Sequence, residues 1–141
     1  MSNQVLRFGL VGYGLWGQHH ARAIAKASGA RLAAIADATE ANRKAAAEAF
    51  PEAQVVADWR ELTASRDLDV VDVVVPSHLH YEIAKAALDG AQHVLVEKPM
   101  VLSVRHADEL IALACERGRM LAVDHEMRLS ALWGKVKELV D

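Results

Sequence analysis

At 141 residues the chain is long enough for one domain with a real core and too short for two. Its net charge of −3 provides no basic field for nucleic acid or anionic lipid, so any bound phosphate must be held by local geometry. Cys115 is the only cysteine, which excludes a disulfide framework and a cysteine-based zinc site. No leader pattern opens the chain and no apolar run reaches the roughly 20 residues of a membrane span, so a reducing cytoplasm is expected.

The first apolar run, 6–12, reads as a buried strand and leads directly into "GYGLWG" and a helical stretch, 15–28. A GxGxxG pattern alone is weak, but between the first strand and first helix of a βαβ unit it has the context of a dinucleotide site. Gly12 permits the tight turn, Gly14 lets a pyrophosphate approach the backbone, and Gly17 lets helix and strand pack closely. The N–H groups around Leu15 and Trp16 then face an anion at the positive end of the helix. Trp16 either shields that anion or covers the helix start.

The second strand, 30–37, ends at Asp37, where an acidic residue receives the adenosine ribose hydroxyls. A 2′-phosphate at roughly 4 Å would be repelled by about 4 kcal/mol at an effective dielectric of about 20, so NAD is favoured and NADP less so. Arg43 lies one turn further on. Further strands follow at 53–57, 69–77, 91–98 and 119–125, separated by helical stretches at 39–50, 59–65, 78–88 and 103–117, with a last helix at 130–140. Thr39 and Ser103 stand where N-caps belong, and Gly29, Gly90 and Gly118 where left-handed residues end helices. Strands that are apolar throughout belong to a parallel sheet covered on both faces. Their alternation with helices predicts an α/β, doubly wound parallel Rossmann sheet in a three-layer αβα arrangement, with strand order 3-2-1-4-5-6.

Ligands of such sheets sit at the carboxyl ends of the strands near the switch between strands 1 and 4. Strand 4 ends in "VVVPSHLH" and strand 5 in "VLVEKPM", which brings Pro76, His80, Glu97, Lys98 and Pro99 to that crevice. These segments, with "GYGLWGQHHARAI" and "AVDHEMRLSALWGKVKELV", resemble the N-terminal NAD(P)-binding Rossmann domain of the glucose–fructose oxidoreductase/inositol dehydrogenase (Gfo/Idh/MocA) family over essentially the whole chain. The resemblance implies an oxidoreductase that transfers hydride between a nicotinamide cofactor and a sugar, cyclitol or related alcohol or ketone. Lys98 would be the catalytic lysine at the nicotinamide, Glu97 would orient and neutralise it, and Pro99 would fix the turn. His80 would face the nicotinamide ribose.

The resemblance also implies a second α/β domain that supplies the substrate pocket and most of the oligomer interface. Residues 1–125 read as the Rossmann unit and 126–141 as a connecting segment and helix leading toward that domain, so the chain by itself is expected to lack a full active site. The family's Asn-Arg-Arg-Phe-like segment is altered here to "HEMRL", 125–129, which leaves Glu126 and Arg128 without an inherited role. Oligomerisation is in any case suggested by the last helix. Trp133, Val136, Leu139 and Val140 give it an apolar stripe, which predicts self-association or fraying.

Other chemistries fit less well. Neither the His78/His80 pair nor the His19/His20 pair has an acidic or cysteine partner at ligand spacing, so no metal is expected, and His20 reads as packing or capping in the first helix. Cys115 reads as a core residue of its helix. A free-standing nucleotide-sensing regulatory domain fits the length but has no need of Glu97-Lys98-Pro99. A methyltransferase is disfavoured by the third glycine.

Overall fold

The computed structural model describes residues 5–140. Strands β1 (Leu6–Val11), β2 (Ala30–Ala36), β3 (Gln54–Val56), β4 (Val70–Val73), β5 (His93–Glu97) and β6 (Leu121–Asp124) form one sheet. Its order is β3-β2-β1-β4-β5-β6 and every pairing is parallel. Helices α1 (Leu15–Lys26), α2 (Glu40–Ala49), α3 (Arg60–Thr63), α4 (His80–Asp89), α5 (Val104–Arg117) and α6 (Ala131–Val140) complete the architecture. The doubly wound order expected from the strand–helix alternation is the order found. The switch point falls between β1 and β4.

The alternation of side chains along each strand divides the core in two. Leu10, Leu32 and Ile35 pack under α1 and α2 with Ala21, Ile24 and Ala46. Val71, Val73, Val94 and Val96 face the other way, against Ile83, Leu88 and Leu110 of α4 and α5. Asp72 therefore points to the α1 side of the sheet, in register with Leu10 on β1 and Leu95 on β5.

Several local readings are corrected. Strand β4 stops at Val73 rather than running to 77, because the chain turns at Pro76 into a single 3-10 turn (Ser77–Leu79) before α4. Gly90 is not left-handed; its φ is −73°, and Ala91 takes the positive φ of 60° instead. Gly90 is required for a different reason, since a Cβ there would strike the Thr63 carbonyl oxygen. Gly118, by contrast, closes α5 at φ 60° as expected. Thr39 and Ser103 occupy the N-cap positions, but neither side chain makes the capping hydrogen bond. Cys115 is exposed rather than in the core, because the buried stripe of α5 runs through Leu110 and Ala114 and leaves the next residue facing solvent. The stripe on α6 is exposed, with Leu139 and Val140 at 77% and 80%. No helix among the described residues is long and apolar enough to cross a membrane.

Candidate functional site

The glycine turn has the geometry its spacing predicts. Gly12 leaves β1 at φ 98°, where a side chain would be strained and would also collide with the Val74 carbonyl oxygen. A Cβ on Gly17 would strike the Gly12 carbonyl, so this glycine is what lets α1 sit against the strand end. Gly14 is the N-cap of α1, and nothing lies within 4 Å of where its Cβ would be. Open space over a helix N-terminus, with no acidic residue in the first turn, suits an incoming phosphate. Leu15 and Trp16 are exposed beside it.

From this turn a cleft of about 330 Å³ runs along the carboxyl ends of β1, β2 and β4, lined by Gly12, Gly14, Asp37, Asn42, Val75 and Pro76. The Asp37 carboxylate accepts the N–H groups of Tyr13 (2.7 Å) and Thr39 (2.8 Å) and the Asn42 amide (3.2 Å). It thus fastens the glycine turn to the end of β2 while lining the cleft. Arg43 lies closer than its spacing suggested, donating to the carbonyls of Asp37 (2.9 Å) and Ala38 (2.8 Å). A larger hollow of about 780 Å³ lies at the opposite end of the sheet, around Leu6, Asp69 and His93. That is the amino end of the strands, where open α/β sheets do not bind their ligands.

The polar residues at the ends of β4 and β5 divide into two groups. Lys98 is exposed, its Nζ 3.5 Å from Glu126 Oε1 and 5.9 Å from the centre of the Trp16 ring, near the outer limit of a cation–π contact. Glu126, which had no assigned role, is therefore the partner of Lys98. Trp16 leans toward the strand-5 end as well as covering the helix start. Pro99 follows through a cis Lys98–Pro99 peptide.

His80 and Glu97, by contrast, turn inward. His80 is only 1% exposed, and its two ring nitrogens each lie 2.8 Å from a carbonyl oxygen, of Pro99 and Val75 respectively. It bridges the turns after β4 and β5, with both ring nitrogens engaged by main-chain carbonyls. Glu97 is buried at 7% exposure and does not open onto the cleft. One of its oxygens accepts the Lys98 backbone N–H (2.9 Å), and the other lies 3.3 Å from His20 Nε2.

His20 is the residue that the sequence reading missed. It is buried on α1, with Nδ1 2.8 Å from Asp72 Oδ2 and Nε2 3.3 Å from both Glu97 Oε1 and Asp124 Oδ2. Burial by itself would lower its pKa, but the hydrogen bond to Asp72 and the charges of Asp72 and Asp124, with the Glu97 bond, lift it to about 9. The ring is therefore an imidazolium at neutral pH. Burial holds the Asp72 carboxyl above the usual range even beside this cation, and Asp72 Oδ1 has no hydrogen-bond partner among the described residues. His20, Glu97 and Asp124 have the mutual spacing of a metal-ligand set, with donor atoms within 4.8 Å of one another. Carboxylates face both ring nitrogens, which is the geometry of an ion-paired hub. Sequence spacing hid it because the partners come from three strands far apart in the chain. The one available signal was Asp72, a charge inside the apolar run "DVVDVVV".

A glycine turn on a helix N-terminus, an acidic residue closing β2 and a cleft at the switch point together define a dinucleotide-binding Rossmann domain. The family described as an oxidoreductase family with an NAD-binding Rossmann fold, Gfo/Idh/MocA, matches residues 6–125, and the chain belongs to it. It is 34% identical to the UDP-N-acetylglucosamine 3-dehydrogenase of Acidithiobacillus ferrooxidans over 88% of this chain and 38% of that protein. The scyllo-inositol dehydrogenase of Lactobacillus casei, solved with NAD(H) and scyllo-inositol, is 26% identical with a TM-score of 0.87, over 98% of this chain and 41% of that one. The biliverdin reductase of Synechocystis sp. PCC 6803, solved with biliverdin and NADP+, is 28% identical with a TM-score of 0.90, over 96% and 42%. The chain spans about two fifths or less of the length of the curated relatives it matches.

Proposed function

We propose that residues 1–125 are the cofactor half of an NAD-dependent dehydrogenase or reductase acting on a sugar- or cyclitol-like alcohol or ketone, with 126–141 leading toward the substrate-binding half. The observation that carries this reading is the exposed Lys98 at the end of β5, on the same carboxyl edge of the sheet as the glycine turn. In it, Gly12, Gly14 and the N–H groups of Leu15 and Trp16 hold the pyrophosphate, and Asp37 receives the adenosine ribose. Pro76 bounds the cleft and Pro99 shapes the turn beyond Lys98. The nicotinamide, when bound, supplies hydride exchange. Lys98 hydrogen-bonds the substrate oxygen and shares in moving its proton, with Glu126 beside it as the counter-charge. Cytoplasmic location and a homo-oligomeric assembly are part of the same reading, and neither nucleic acid nor membrane is a partner in it.

NAD is preferred over NADP because the Asp37 carboxylate is pinned by two backbone N–H groups at the cleft wall and cannot swing away from a 2′-phosphate. Arg43 favours the opposite choice, but its guanidinium is already engaged by two carbonyls. Calorimetric titration of the chain with NADH and NADPH, repeated on Asp37→Ala, tests both parts. NADH is expected to bind at micromolar strength and NADPH at least tenfold more weakly, a difference of about 1.4 kcal/mol, with the gap closing in the variant. Equal affinities in the unaltered chain would remove the NAD preference, and no binding of either nucleotide would remove the cofactor reading.

A further inference from the structure

We propose that His20 is a positioning residue for Lys98, its ring holding the carboxyl ends of β4, β5 and β6 in one arrangement and fixing the Lys98 main chain through Glu97. The proposal rests on the reading of Lys98 as the residue at the nicotinamide end. The connection is a short one. His20 Nε2 lies 3.3 Å from one oxygen of Glu97, and the other oxygen of the same carboxylate accepts the Lys98 N–H at 2.9 Å. A carboxylate held at both oxygens has no free rotation, so release at one oxygen restores rotation and loosens the hold on the Lys98 N–H at the other.

The charges around the ring explain why it must be a cation to do this. Asp72 from β4, Glu97 from β5 and Asp124 from β6 all face it. On its own helix His19 lies to the side, close to Arg22. Across an adjacent hollow of about 320 Å³ stands Glu126, which is paired with Lys98. An imidazolium donates from both nitrogens and satisfies Asp72 together with the Glu97–Asp124 pair. A neutral ring donates from one nitrogen only. If Asp72 keeps that proton, the Nε2 lone pair faces two carboxylate oxygens and repels them, and Glu97 loses its anchor. The hollow and the partial exposure of Asp124 give solvent protons access to the ring.

The same helix begins at the glycine turn, so one side chain links the phosphate-binding end of α1 to the strand end that carries Lys98. The ring's own contacts, however, run to the strand ends and not to the glycine turn, so the coupling should act on the nicotinamide half of a dinucleotide and leave the adenosine and pyrophosphate half alone. That selectivity separates positioning from a general contribution to folding.

The test follows the His20 ring and the Lys98 amide nitrogen by carbon-detected NMR in the apo chain from pH 6 to 10.5. The expected result is that both titrate with one midpoint, near the His20 value of about 9. In His20→Gln the Lys98 step should vanish, with circular dichroism reporting whether the fold is retained. Asp124→Asn keeps the ring and removes one of its three carboxylates, so it should keep the coupling and move the midpoint down. A Lys98 nitrogen that ignores the His20 titration, or a step that survives in His20→Gln, overturns the proposal. The ligand arm compares NADH with ADP-ribose over the same pH range. NADH affinity should fall roughly three- to tenfold as the ring loses its proton, the range expected for one lost hydrogen bond, while ADP-ribose affinity stays constant. Both ligands weakening together would overturn the positioning role. If neither ligand binds but the NMR coupling is present, the cofactor reading fails while the link from His20 to Lys98 stands.

Discussion

His80 shows how a side chain's surroundings can differ from what its place in the sequence suggests. It follows Pro76 at the end of β4, where a polar residue is expected to meet ligand, yet its ring is buried between two main-chain carbonyls. Replacing it by alanine removes a buried hydrogen-bonding ring and leaves a cavity, so His80→Ala should cost about 2–4 kcal/mol in urea denaturation. A cost near zero would mean that the two loops hold each other without it. Gly17 makes the opposite case, a residue read correctly from spacing alone. Gly17→Ala drives a methyl into the Gly12 carbonyl and should lower stability by about 1–3 kcal/mol in the same assay, as overpacking does. The glycines are legible because their demand is local: a turn and a close approach leave a fixed spacing in the chain. A histidine's demand is set by what packs around it. His20 and His80 carry no local sign of their carboxylate and carbonyl partners.

At the level of elements, α6 differs from the other five helices. Helices α1, α2, α4 and α5 each bury an apolar face on the sheet, and the short α3 buries Leu62 against it. Leu132, Trp133, Leu139 and Val140 of α6 are half or more exposed. An exposed stripe of this kind drives association when concentrated but contributes little to folding of the single chain. Trp133→Glu with Leu139→Glu should therefore change unfolding free energy by no more than about 0.5 kcal/mol. Sedimentation should find less self-association in the double variant than in the unaltered chain. A large loss of stability would instead mean that α6 packs on the domain in solution. The periodicity of the helix was readable from sequence, but what it lies against was not, because an apolar stripe specifies burial without naming the surface.

For the whole molecule the buried hub makes stability depend on pH. His20 has its pKa raised from 6.5 to about 9 in the folded state, so the folded chain holds a proton that the unfolded chain releases. The stabilisation is fully present below about pH 6.5 and is lost as pH rises through about 9. Its size is on the order of 3 kcal/mol, following from the shift at 1.36 kcal/mol per unit. Urea denaturation between pH 6 and 10 should record this decline in the unaltered chain and a much flatter profile in His20→Gln. A profile that rises over that range would contradict the ion-paired assignment. The same cluster explains a fully buried aspartate in the middle of β4. Asp72 is tolerable there because a cation from α1 meets it at 2.8 Å.

The sheet order, the switch point, the glycine turn and the acidic end of β2 could all be read from the chain directly. Each depends on residues adjacent in sequence or on a repeating pattern of polarity. The inward turn of Glu97 and His80, the pairing of Lys98 with Glu126, and the gathering of Asp72, Glu97 and Asp124 around His20 could not. The partners of His20 lie on separate strands, brought together only when β4, β5 and β6 align in register beneath α1, and those of His80 and Lys98 lie in the turns beyond the strand ends. Around His20, burial then strips away solvent, and the ion pairs become strong enough to fix which way Asp72 and Glu97 point.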